Sequence, residues 1–99
     1  MDIRYRTKWL ERCCTDYNYA KKKYGVITAE DLKYCINVIR SFDSVETLVK
    51  LNIQRCHPLH QNRRGQYAMD LEHPLRLIFE KDDEGNVHIV KIVDITDYH

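Results

Sequence analysis

At Gln66 the hydrophobic period of this chain changes, and that change restricts its folding options more than any other feature. Before Gln66, apolar residues recur at helical spacing. After it they come in short runs of Val, Ile, Leu and Phe divided by turn-forming stretches. Helices first and strands after imply an α+β fold, with helices packed against one small sheet. A length of 99 residues supports a single domain, 1-99, with one modest core.

Residues 7–24 lack Pro and Gly and read as one helix. Lys21, Lys22 and Lys23 complement the negative end of its dipole, and Gly25 suits a left-handed C′ position. The lysine triplet therefore reads as a helix terminus in preference to a nucleic-acid patch. A second helix is expected over 28–42, opened by Thr28 as N-cap, with Leu32, Cys35, Ile36, Ile39 and Phe42 as its apolar stripe. Asp43 and Ser44 restart a short helical turn through Val49, and the stretch from Pro58 to Gly65 reads as a loop. Strands are expected over 66–71, 75–80 and 87–95, forming an antiparallel meander that Ile3-Arg4-Tyr5 would complete.

Membrane insertion and export are not expected. No apolar run approaches the roughly 20 residues that cross a bilayer, and the first residues have no apolar signal core, so a cytoplasmic location is expected. Cys13, Cys14, Cys35 and Cys56 then read as reduced structural thiols, since adjacent cysteines also make a poor start to a zinc site. Sixteen basic and fifteen acidic residues give a net charge of +1, which does not announce a nucleic-acid binder. Their distribution says more. Residues 47–69 contain no acid but hold Lys50, Arg55, His57, His60, Arg63 and Arg64, whereas among the charged residues of 80–97 the acids outnumber the lysines. A positive face beside an acidic edge is the expectation, with Lys50, Arg55, His60, Arg63 and Arg64 as candidate RNA-binding residues.

Three features of the C-terminal half carry chemistry: His57 with the basic loop after it, Arg76 inside a strand pattern, and the terminal Asp97-Tyr98-His99. Together they supply what RNA cleavage without a metal requires. A base removes the 2′-hydroxyl proton, an acid protonates the leaving 5′-oxygen, and a cation stabilises charge on the phosphate. Histidine titrates near working pH, and the guanidinium fork can hold two phosphate oxygens.

These residues also carry a resemblance. His57-Pro58-Leu59, Arg63 and Gly65, Tyr67-Ala68-Met69-Asp70-Leu71, Leu75-Arg76-Leu77-Ile78-Phe79-Glu80 and Asp97-Tyr98-His99 resemble the HigB and killer-protein branch of the RelE toxins. Ile3-Arg4-Tyr5 and Lys22-Lys23-Tyr24-Gly25 extend it to the N-terminal half. The resemblance implies a RelE-like fold of two N-terminal helices on an antiparallel sheet, and ribosome-dependent cleavage of mRNA with no cofactor and no metal. It also implies a helix-turn-helix (HigA-like) antitoxin as partner, with operator DNA reached only through that antitoxin. By position, His57 matches the active-site histidine, Arg76 the arginine for the scissile phosphate, and Asp97, Tyr98 and His99 the catalytic cluster. Either His57 or Asp97 then aids proton removal, His99 is general acid or orienting group, and Tyr98 stacks on the nucleotide.

Two positions depart from that pattern. His60 stands where related toxins have lysine, and Glu72 where some have a further arginine. Glu72 would repel phosphate if it faced the site, leaving Arg63 and Arg64 to supply the missing charge. Two other readings therefore stay open: a ParE-like gyrase binder on the same fold, and a catalytically degenerate antitoxin-binding module.

Overall fold

The computed structural model describes residues 1–97, so Tyr98 and His99 lie outside the described residues. Among those residues the chain runs β1 (Asp2–Tyr5), α1 (Lys8–Thr15), α2 (Tyr17–Tyr24), α3 (Val26–Ser41) and α4 (Val45–Lys50). Then come β2 (His57–Pro58), β3 (Gln66–Asp70), β4 (Leu75–Lys81) and β5 (Ile89–Asp97). The expected α+β fold is present, with helices against one sheet.

The helical half departs from expectation in its boundaries. The single helix expected over 7–24 is two, broken at Asp16, whose backbone is extended and whose carboxylate accepts from the Tyr19 amide at 3.1 Å. Asp16 thereby ends α1 and caps α2, the local competition that Asp offers any helix it enters. Gly25, at φ 92° and ψ 170°, takes a positive φ outside the left-handed helical region and joins α2 directly to α3. Thr28 is consequently not an N-cap. It lies buried in the first turn of α3 and its hydroxyl donates to Glu72 at 3.1 Å. The short helix after Asp43 forms as expected, capped by the Ser44 hydroxyl.

The strands order as β1-β5-β4-β3-β2. The meander β3-β4-β5 is antiparallel as expected, but β1 pairs parallel with β5, so the sheet is mixed and not antiparallel throughout. Pro58, expected to begin a loop, instead joins His57 in the short edge strand β2 on β3.

Alternation along the strands divides the sheet into two faces. Met69, Leu77, Phe79, Val90, Ile92 and Ile95 pack with Leu10, Leu32, Ile36, Ile39 and Leu48 to form the main core under the helices. On the opposite face lies a small cluster of Leu59, Ala68, Ile78 and Val93, to which, among the described residues, no helix contributes a core side chain. All four cysteines are free and buried, as expected. Burial pushes the Cys14 and Cys56 thiols up to about 12 and raises Cys35 as well.

Candidate nucleic-acid interface

The uncovered sheet face carries His57 and Arg76 of the predicted site. His57 stands opposite Ala68, and Asp70, two residues along the same strand, stands opposite Arg76. Side chains at these positions share a face, so His57, Asp70 and Arg76 lie on one surface. His57 and Arg76 are two strands apart, a lateral separation of about 10 Å, with Asp70 on the strand between them.

Asp70 is the centre of the arrangement. One carboxylate oxygen accepts from Arg76 Nε at 3.0 Å, and the other accepts from Arg55 Nε at 2.7 Å. Arg55 Nη2 adds a longer bond of 3.3 Å. The pairing raises the Arg55 guanidinium above its ordinary value. Arg76 is further held by Nη1, which points at the Pro74 carbonyl at 3.3 Å. Its side chain is 14% exposed, whereas that of Arg55 is 55% exposed.

The loop before β2 presents this set. Asn52, Gln54 and Arg55 have φ of 55°, 47° and 53°, left-handed values that side-chain-bearing residues rarely take. In that conformation Gln54 donates to the Asp70 main-chain carbonyl at 3.0 Å, and Arg55 turns its carbonyl toward His57. His57 Nδ1 lies 2.6 Å from that oxygen. A carbonyl only accepts, so Nδ1 carries the hydrogen and the neutral ring keeps its lone pair on Nε2.

Of the remaining candidates Arg63 reaches this face at Asp94, which stands opposite Ile78, and the others are not gathered there. Arg63 donates to Gln66 at 3.0 Å and to Asp94 at 3.3 Å, so β3 and β5 hold it. Lys50, His60 and Arg64 are exposed on α4 and the loop. Asp97 stands opposite Leu75, one residue beyond the Thr96–Arg76 pair, so alternation turns it to the other side of the strand from Arg76. Glu72 accepts from Thr28 on α3, which ties it to the helical layer. Among the described residues no group of His, Cys, Asp and Glu is arranged to hold a metal ion. A groove lined by Cys14, Ala29, Leu32 and Arg40 lies in the helical layer, apart from this face.

Sequence reasoning treated Asp70 only as part of a motif. The signal was present: Asp70 is the first acid after the acid-free run, between two core residues, Met69 and Leu71, and so faces outward.

The chain has the fold of the YoeB and YafQ toxins. It superposes on the YoeB-YefM complex from Staphylococcus aureus at a TM-score of 0.63 and 21% identity, over 100% of this chain and 97% of that one. The YoeB/ParE toxin from Agrobacterium tumefaciens gives 0.65 and 11% over the whole of both chains. A mutant of YafQ from E. coli gives 0.62 and 20% over 97% of this chain and 91% of that one. No family model and no curated protein matches the chain. The neighbours carry YoeB and YafQ names, so what they share with this chain is the RelE-like fold, and the HigB branch rests on the sequence motifs alone. The S. aureus YoeB-YefM structure is a heterotetrameric toxin-antitoxin complex.

Proposed function

We propose that this chain is the toxin of a type II toxin-antitoxin pair, of the HigB or killer branch, and acts as a metal-independent, ribosome-dependent mRNA endoribonuclease. The observation that carries this reading is the shared open face. The Nδ1 contact with the Arg55 carbonyl leaves Nε2 as the lone-pair nitrogen of the neutral His57 ring, and Asp70 holds Arg76 on the same face. In the reaction His57 Nε2 takes the ribose 2′-hydroxyl proton and the 2′-oxygen attacks phosphorus. The P–O5′ bond breaks, leaving a 2′,3′-cyclic phosphate, and His99 returns a proton to the 5′-oxygen. Arg76 stabilises the charge that builds on the non-bridging oxygens and Tyr98 stacks on the nucleotide, while Asp97, turned to the other side of β5, is left out of the proton transfers. Lys50, Arg55, His60, Arg63 and Arg64 contribute contacts to mRNA or ribosomal RNA. The partner is a helix-turn-helix antitoxin, and operator DNA is reached through it.

The test is induced expression in bacteria with and without the protein encoded beside this one, followed by mapping of mRNA 5′ ends. Growth arrest with new ends inside translated codons, relieved by the neighbour and lost in His99→Ala, is the expected result. Arrest without new ends transfers the weight to a ParE-like gyrase-binding toxin, a reading favoured by the likeness to the A. tumefaciens YoeB/ParE toxin. Absence of arrest sinks both in favour of an antitoxin-binding module.

A further inference from the structure

Two guanidinium groups meet on one carboxylate at the centre of the open face. We infer that Arg55 and Arg76 form a paired phosphate site, with Asp70 as the positioning residue that sets their spacing; this rests on the nuclease reading for its catalytic consequence but not for anion binding.

Asp70 takes hold of Nε on both arginines and of Nη2 on Arg55, while carbonyl oxygens take Nη1 of Arg76. Nη1 of Arg55 and Nη2 of Arg76 enter none of these contacts. One amino group of each arginine thus stays out of these contacts beside a shared carboxylate, and two such donors can serve the two non-bridging oxygens of a phosphodiester. Asp70 on β3 and Arg76 on β4 lie between His57 on β2 and β5, and Arg55 reaches Asp70 from the loop before β2.

The loop supports a binding role over a purely structural one. Three left-handed residues within four positions are costly, and a half-exposed ion pair returns less than that cost. Strain of this kind is found where the chain fixes a functional geometry. Other arginines are poorly placed for the role, since Arg63 is engaged by Asp94 and Gln66 and Arg64 is exposed in the loop beyond it.

Electrostatics alone and positioning predict opposite results for one substitution, which makes the proposal testable. Removing the negative charge in Asp70→Asn should strengthen anion binding if Asp70 merely competes with phosphate. If Asp70 sets the spacing, Asp70→Asn lowers kcat about 10-fold or more without raising KM, because charge attraction is kept and alignment is lost.

The experiment uses ¹⁵N-labelled full-length protein titrated with sodium phosphate at constant ionic strength, following the Nε–H signals of Arg55 and Arg76. Cleavage of translated mRNA is measured on the same variants. The expected result is a saturable shift of both signals together, an affinity loss of about 10-fold in Arg55→Ala, and a cleavage loss of about 10- to 100-fold that Arg55→Lys restores only in part. A shift of Arg76 without Arg55, or Arg55→Ala cleaving like the parent chain, overturns the paired site. Asp70→Asn gaining in both kcat and phosphate affinity overturns the positioning role. Paired shifts from a parent chain that cleaves no RNA would leave the anion site standing and refute the nuclease reading instead.

Discussion

Replacing Arg76 with alanine separates what this side chain does for the fold from what it does for RNA. Its Nε bond to Asp70 at 3.0 Å joins two charged groups at a site only 14% exposed on the arginine side, a setting in which a charge-assisted bond contributes about 1–2 kcal/mol. The contact with the Pro74 carbonyl is longer, 3.3 Å, and adds at most about 1 kcal/mol. Asp70 keeps its bonds to Arg55, so no stranded carboxylate enlarges the loss. The sum is about 2 kcal/mol, which for a domain of this size lowers Tm by about 10 °C and leaves the protein folded at 25 °C. Activity should fall much further, by about 100-fold or more, as when one preorganised donor to a developing oxyanion is removed. Arg76→Lys keeps the charge but not the fork, so it should recover part of the stability and little of the rate. Thermal denaturation followed by circular dichroism, with mRNA cleavage on the same preparations, reads both quantities. A variant melting with the parent chain would mean that the Arg76–Asp70 pair is not formed in solution. A less stable variant that cleaves at the parent rate would remove Arg76 from the chemistry.

Phe79, fully buried and stacked on Tyr67 with ring centroids 5.6 Å apart, anchors the core. Phe79→Ala should cost about 3–5 kcal/mol in urea unfolding. The cysteines should be inert in the native state, because burial raises their thiol pKa values, to about 12 for Cys14 and Cys56. A thiol reagent at pH 8 should react slowly before denaturation and with all four after it. Asp31 has its carboxyl raised by burial first and then by Glu72 and Glu30. A raised acid favours the folded state only while protonated, so its cost to stability sets in as pH rises towards its native pKa and is complete above it. Asp31→Asn should therefore raise Tm at pH 7 and lose that gain by pH 3.

The period change at Gln66 carried most of the fold. The meander strands fall within two residues of their expected bounds at each end, because short apolar runs such as Leu77-Ile78-Phe79, buried on both faces of the sheet, stand out between turn-forming stretches. The helical half was less legible. Nothing marks Asp16 as a break except that Asp can cap its own chain, and the stretch around it has neither Pro nor Gly. The parallel pairing of β1 was also hidden, since four residues carry no sign of strand direction. At the site, strand alternation and pairing bring His57 and Arg76 to one face, which motif reading had suggested from residue identity alone. What joins them was not legible, because the contacts of Arg55, Gln54 and Asp70 depend on left-handed backbone that no turn residue of the usual kind announces.

The separation of charge in the sequence resolves differently in space from the expected positive face beside an acidic edge. Arg55 and Arg76 sit on Asp70, and Arg63 sits on Asp94, so the arginines of the open face are interleaved with acids. A surface of this kind attracts RNA weakly at a distance, which fits a net charge of +1. Its selectivity must instead come from guanidinium groups fixed before the substrate arrives, which bind a phosphate of the right placement without the entropy loss of ordering long side chains. Such an interface should show a shallow salt dependence. If two arginines make the phosphate contacts on this face, binding of a short single-stranded RNA should follow a log–log slope of about −1.4. A slope several times steeper would mean that Lys50, Arg64 and the α2 lysines supply the affinity, and that the interface extends well beyond the open sheet.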